Sequence, residues 1–206
     1  MRVKSLAKFP QGGGWGSSGD AWMGIGAAVN TILLTAYHET AARTIFPTEL
    51  PRNKYDFIAK LPKGSKPQDV YVALQQEIKR EFGLIGRLET RETDVLLLTT
   101  KNPGAGSLRP STARPGESSS RSQTGQLVFV NQPLRTLAGL LENYFQIPVI
   151  NQTGLTGNFD INLKWNEPDW RHHNPDALKE ALIEQLGLEL APSREPIEML
   201  VVEKVK

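Results

Sequence analysis

The stretch Tyr55–Leu61, YDFIAKL, returns at Phe159–Trp165 as FDINLKW, and its surroundings return with it. From Arg52 to Thr100 and from Thr156 to Lys204 the chain aligns with itself, without a gap, at a constant offset of 104 residues. Asp56 falls on Asp160, Lys60 on Lys164, Leu74 on Leu178 and Ile78 on Leu182. Phe82-Gly83-Leu84 falls on Leu186-Gly187-Leu188, and Val95–Leu98 on Met199–Val202. These are packing positions and chain reversals, so the repeat speaks for architecture rather than for a reaction.

Working outward, apolar residues at Val70, Leu74, Ile78 and Phe82 recur every fourth position and predict a helix from Pro67 to Phe82. Gly83 suits the left-handed position that ends such a helix. A hairpin is expected next, Leu84–Thr90 and Asp94–Thr100 across Arg91-Glu92-Thr93. Upstream, Val3–Phe9 and Ala21–Ala28 read as strands on either side of a Gly/Ser loop, Gln11–Asp20. Asn30 is a fair cap for a short helix to His38.

The second half repeats the plan. Leu127–Val130 is a strand, and Pro133 opens a helix to Tyr144. Pro148–Ile150 is a short strand, and Asn174 with Pro175 starts a helix that stops before Gly187. A final strand pair ends with Glu198–Val205. The fold class expected is α+β: two similar β-α-β-β-α-β-β halves, mainly antiparallel, with helices on one face, packed as one unit. The expected domains are 1–100, a Gly/Ser/Pro/Arg-rich linker or surface loop over 101–126, and 127–206.

Composition narrows the classes. The chain has 206 residues, 39% hydrophobic and 22% charged, with a net charge of +2, which fits a soluble globular protein. Its positive excess is thin and lies partly in 101–126, so no phosphate-tracking face and no nucleic-acid partner are expected. There is no cysteine, which excludes disulfides, thiolate metal sites and a cysteine nucleophile. Met1–Leu6 is charged but lacks an apolar run, so no signal peptide is read there.

The richest loop is Trp165–Asp176, WNEPDWRHHNPD, with two of the three histidines. His172 or His173 with Glu167, Asp169 or Asp176 would be the metal candidates. Adjacent histidines diverge on any backbone, and the i, i+4 pair of zinc hydrolases is absent, so no metal and no cofactor are expected. Trp165 and Trp170 offer indole faces for a sugar or peptide. Alternation with Ile161 and Leu163 favours the core for Trp165, while Trp170, past a proline, is the more accessible. Trp165, Trp170, Arg171, His172 and His173 are therefore the binding candidates, and no catalytic residue is assigned.

The other motifs carry less. His38-Glu39 has the makings of a base with an orienting acid, but the dipeptide is common. Asn151-Gln152-Thr153 matches a glycosylation sequon and is equally explained as a turn. The repeated Asp56 and Asp160 form a pseudo-symmetric carboxylate pair, for which a structural role is preferred over acid–base work. The Gly12–Gly16 run lacks the Lys-Ser/Thr of a phosphate loop.

Pro148–Trp165, PVINQTGLTGNFDINLKW, resembles the signature of the Soli family, an uncharacterised bacterial family of unknown function. Tyr55–Lys60, Arg91-Glu92-Thr93 and Leu108-Arg109-Pro110-Ser111 resemble its other landmarks in the same order, as does the tail from Leu186-Gly187-Leu188 to Val205. The resemblance covers nearly the whole chain from Val3. It implies a secreted or membrane-tethered domain, joined in some relatives to a membrane-embedded sensor metallopeptidase, and it implies no known activity. The family's usual tryptophan before Tyr55-Asp56 is missing from Phe46-Pro47-Thr48-Glu49-Leu50. At the level of fold, a helix followed by two strands is similar to the protein-docking amino-terminal domains of secretins and outer-membrane receptors.

The expectation is a non-catalytic protein- or peptide-binding module of the bacterial cell envelope, placed outside the cytoplasm by the resemblance. Its partner would be an envelope protein or peptide, with membrane contact only through a tether outside this chain. The alternative is an envelope hydrolase or carbohydrate-binding protein that uses the 165–176 loop.

Overall fold

A computed structural model describes residues 2–5, 14–18, 21–60, 62, 66, 68–101, 108–114, 116–169 and 171–205; for 2–5, 14–18, 21, 22 and 60 it describes the backbone. The fold class is α+β with mainly antiparallel sheets. The chain divides into two compact units, Met1–Arg91 with Ile197–Lys206, and Glu92–Pro196.

Unit 1 contains β1 (Arg2–Ser5), β2 (Gly14–Ser18), β3 (Ala21–Ala28), α1 (Val29–Tyr37), β4 (Thr44–Ile45), β5 (Lys54–Lys60) and α2 (Asp69–Phe82). Its main sheet is antiparallel, in the order β1-β5-β3-β2. Alternation along β5 buries Phe57 and Ala59, while the helices bury Ile32, Leu33 and Ala36 of α1 with Val70, Leu74 and Ile78 of α2. The stripe read from the sequence is thus the packed face of α2. Gly83 ends α2 in the left-handed region (φ 63°), its N–H donating to the Lys79 carbonyl at 3.0 Å.

Two strands of 17 residues, β6 (Leu84–Thr100) and β12 (Leu188–Lys204), carry the chain between the units. This corrects the expected hairpin. Arg91-Glu92-Thr93 has no glycine, asparagine or proline to reverse the chain, and none of the three residues takes a positive φ. The exposed middle of a long strand therefore resembles a polar turn.

The consequence is an exchange. Leu84 at the start of β6 packs in the unit 1 core with Leu200 and Val202 from the end of β12. Leu96 and Leu98 from the end of β6 pack in the unit 2 core with Leu188 and Leu190. Leu200 and Val202 are the copies of Leu96 and Leu98 at the 104-residue offset. Each unit is completed by the strand end that sequence order assigns to the other, so contacts place Ile197–Lys206 with the first unit rather than within 127–206. In unit 1 the Val205 N–H donates to the Gly83 carbonyl (2.7 Å), Arg87 pairs with Glu203 (2.9 Å), and β4 lies parallel to Leu200 and Val201.

Unit 2 has the same plan: β7 (Arg109–Pro110), β8 (Ser119–Gln123), β9 (Gln126–Pro133), α3 (Leu134–Phe145), β10 (Val149–Asn151), β11 (Asn158–Lys164) and α4 (Pro175–Leu186). Its sheet order, β7-β11-β9-β8, repeats that of unit 1 place for place. The Asn174 side chain caps α4 by accepting from the Ala177 N–H at 3.2 Å, with Pro175 in the first turn as expected. Asn30, by contrast, does not cap α1; Ala28 holds that position and Asn30 lies inside the first turn.

The expected linker is also corrected. Among its described residues, 109–110 and 119–123 are strands at the two edges of the unit 2 sheet. All five β8 side chains are exposed, so the strand is held by its backbone ladder to β9 and needs no apolar periodicity. Residues 14–18, inside the expected Gly/Ser loop, are strand β2, paired with β3.

The repeated aspartates have a structural role in each unit. Asp56 on β5 accepts the Gly26 N–H at 2.8 Å, and Asp160 on β11 accepts the Asn131 N–H at 2.9 Å. Gly26 (φ 63°) and Asn131 (φ 55°) are the left-handed residues of bulges in β3 and β9, where the pairing register shifts. A bulge leaves one amide out of the ladder, and the carboxylate of the neighbouring strand satisfies it.

Candidate functional site

The 165–176 loop runs from the end of β11 to the start of α4, and its own polar groups determine its course. Glu167, with a side chain only 2% exposed, is the centre. Its Oε2 accepts from the Trp165 indole Nε1 (2.6 Å), the Tyr144 hydroxyl (2.7 Å) and the Asn174 N–H (3.1 Å). Its Oε1 lies 2.7 Å from His173 Nδ1. The Tyr144 hydroxyl also accepts the Asn174 N–H at 3.0 Å. One buried carboxylate thus ties the end of α3 to the loop and to the cap of α4.

The rings around it pack edge to face. Tyr144 meets His173 at 4.7 Å, Phe145 at 5.1 Å and Trp165 at 6.1 Å between centroids. Gly125 lets the β8–β9 turn approach: it takes φ 69°, its carbonyl accepts the Trp165 N–H at 3.0 Å, and a β-carbon there would lie 2.7 Å from the Trp165 carbonyl oxygen.

Electrostatics follow from this geometry. Burial is the largest single influence on Glu167 and opposes its charge, but its hydrogen-bond donors together outweigh burial and hold the carboxyl below the usual range. Burial, with the Glu167 carboxylate beside it, pushes the Tyr144 hydroxyl up to about 12. An ionised carboxylate facing Nδ1 keeps a proton on that nitrogen and fixes the orientation of a half-exposed ring.

A second, more exposed knot lies beside it. Asp169 Oδ1 accepts the backbone N–H groups of Arg171 (2.7 Å) and His172 (3.0 Å), and its Oδ2 lies 2.8 Å from His172 Nδ1. The His172 bond is the main reason that Asp169 titrates below its usual range.

The structure therefore separates the expected binding candidates. Trp165 and His173 converge on Glu167, whereas His172 belongs to Asp169, and Arg171 is exposed. Trp170 lies outside the described residues. Trp165 is neither fully core nor free: it is partly buried against the unit 2 core, with its N–H spent on Glu167. Among the described residues no three His, Asp or Glu side chains gather in a way that would hold a metal ion. Each imidazole has its own carboxylate, and Glu167, with four donors on two oxygens, has little acceptor capacity left for a proton in transit. The arrangement can fix a surface and present an oriented imidazole and a guanidinium on it.

Tyr144 is the residue that sequence reasoning missed. Its signal was present, because it continues the stripe of Leu134, Leu137 and Leu141 one turn further and so faces inward.

Comparison with curated proteins and with solved structures finds no match. The chain belongs to the family described as "Protein of unknown function (DUF3738)", whose sequence model matches residues 30–205.

Proposed function

We propose that this chain is a non-catalytic interaction module of the bacterial cell envelope that receives an extended peptide as an added strand along β8. The observation that carries the reading is that β8 (Ser119–Gln123) is an edge strand, bonded on one side to β9, with every side chain exposed. Such an edge offers a row of backbone donors and acceptors, and alternate side-chain positions for selectivity. An exposed apolar group on unit 1 also supports a binding role: Met23 (42% exposed) and Ile58 (53%) are cross-strand partners, with Ile25 (43%) two residues along β3. The extracytoplasmic setting rests on the resemblance to the Soli family. No helix among the described residues is long and apolar enough to cross a membrane.

Selection of a displayed random heptapeptide library on the full chain tests this reading. Bound peptides should protect the 119–123 amides from hydrogen exchange, and proline at one of two neighbouring β8 positions should abolish binding while the fold persists. Selected peptides that protect other segments only, or a library that yields no binder, would contradict it.

A second reading has one observation in its favour: His173 is oriented by Glu167 as in a base–acid pair. An envelope hydrolase or carbohydrate-binding protein using the 165–176 loop would need that pair. The saturation of Glu167 weighs against the hydrolase, and His173→Ala should leave any activity found unchanged.

A further inference from the structure

The end of α1 carries a groove of about 560 Å³, within the size of small-ligand clefts, about 300–1,000 Å³. It is lined by Leu34 and by an aromatic pair, Tyr71 at the start of α2 and His38 just past the end of α1, their rings tilted at 5.6 Å. Thr31, Thr35 and Thr40 supply short hydroxyls around this apolar centre, and Glu39 supplies a carboxylate. Among the described residues no lysine or arginine lines it, so nothing there selects a phosphate or another anion.

The same helix end in unit 2 shows what such a position accepts. The sheet registers set α1 against α3 at an offset of 105 residues, since Ala27 and Gln132 face the matched Tyr55 and Phe159, so Thr31 and Thr35 correspond to Thr136 and Leu140. There the end of α3 is packed with six-membered rings, Tyr144 and Phe145 with the Trp165 indole, whose polar hydrogens reach a carboxylate. In unit 1 the corresponding helix end is lined by threonines, His38 and Tyr71, and the space is open.

We propose that the α1 groove of unit 1 binds a neutral saccharide, one pyranose face lying on Tyr71 and Leu34 and its hydroxyls bonding to the threonines and Glu39. A pyranose combines what the lining asks for: a flat C–H face for an aromatic ring, a rim of donors and acceptors, and no charge. This site is separate from the β8 edge and does not depend on it.

The test is two-dimensional amide NMR of the full chain titrated with cellobiose, maltose and N,N′-diacetylchitobiose in turn. The expected result is saturable shifts confined to residues 31–40 and 71 and their neighbours for at least one sugar, with Kd at or below about 1 mM. Thr31→Arg places a long charged side chain in the groove without touching the core and should weaken binding at least about tenfold. Tyr71→Ala should do the same, and because that ring also packs against the core, only Thr31→Arg is decisive if the Tyr71 variant loses its dispersed spectrum. No saturable shift with any of the three sugars would overturn the proposal. So would shifts that map elsewhere, or that persist unchanged in a folded Thr31→Arg protein.

Discussion

Units 1 and 2 share a sheet order, a helix pair and an aspartate that satisfies a left-handed bulge, yet they differ sharply at the end of the first helix. In unit 2 that end is closed by Tyr144, Trp165, His173 and the buried Glu167. In unit 1 it is an open groove lined by threonines, His38 and Tyr71. The common features are those that each scaffold requires to fold. The differences concern surface chemistry, and specificity is to be sought among them.

Several substitutions would break or sharpen this contrast. The largest effect is expected from Glu167→Ala, which leaves four donors facing a cavity and should destabilise the protein by about 3–5 kcal/mol. Denaturant melts give the size, and hydrogen exchange should show the loss in α3 and α4 before α1 and α2. Equal loss in both helix pairs would mean that the knot does not belong to unit 2 alone. Leu200→Ala and Leu96→Ala, at copied positions, should each lose about 2–5 kcal/mol. Leu200→Ala should expose α1 and α2, and Leu96→Ala should expose α3 and α4.

Gly125→Ala should lose about 1–3 kcal/mol, because its φ is 69° and the Trp165 carbonyl oxygen occupies the space of a β-carbon.

The pH dependence should also be one-sided. Glu167 and Asp169 titrate lower in the folded chain than in the unfolded one. Their contribution is therefore present above about pH 4.5 and lost as pH falls through the folded values. Tyr144 is raised to about 12, so its contribution is present below about pH 10 and lost as pH rises through 12. Tyrosinate absorbance should show a late ionisation that disappears in Tyr144→Phe.

The smallest effect tests the likeness rather than the difference. Asp56→Ala should speed exchange of the Gly26 amide about tenfold, and Asp160→Ala should speed that of Asn131 comparably. A large inequality would mean that the two bulges are not equivalent.

The helices and the strand pair β5 and β11 were legible because a 3.6-residue or two-residue apolar period leaves its mark on the sequence. The edge strands β7 and β8 were not, since a strand exposed on its side chains is specified by a neighbour's backbone. The continuity of β6 was hidden because Arg91-Glu92-Thr93 is polar whether the chain turns or runs straight into solvent, and only tertiary pairing decides. The loop's importance was visible in its composition, but its centre was not. Glu167 acquires its role from Tyr144, 23 residues earlier in the chain, and no local pattern joins the two.

The exchange of strand ends is the feature on which the description of both units depends, and methyl NOE spectroscopy tests it most directly. Leu200 Cδ1 lies against Gly86, beside the Tyr37 ring whose hydroxyl accepts the Gly86 N–H at 2.7 Å. NOEs from the Leu200 methyls to the Gly86 Hα and the Tyr37 ring are the expected result. NOEs from those methyls to Leu188 and Leu190 instead, as in a local hairpin within the second repeat, would contradict it.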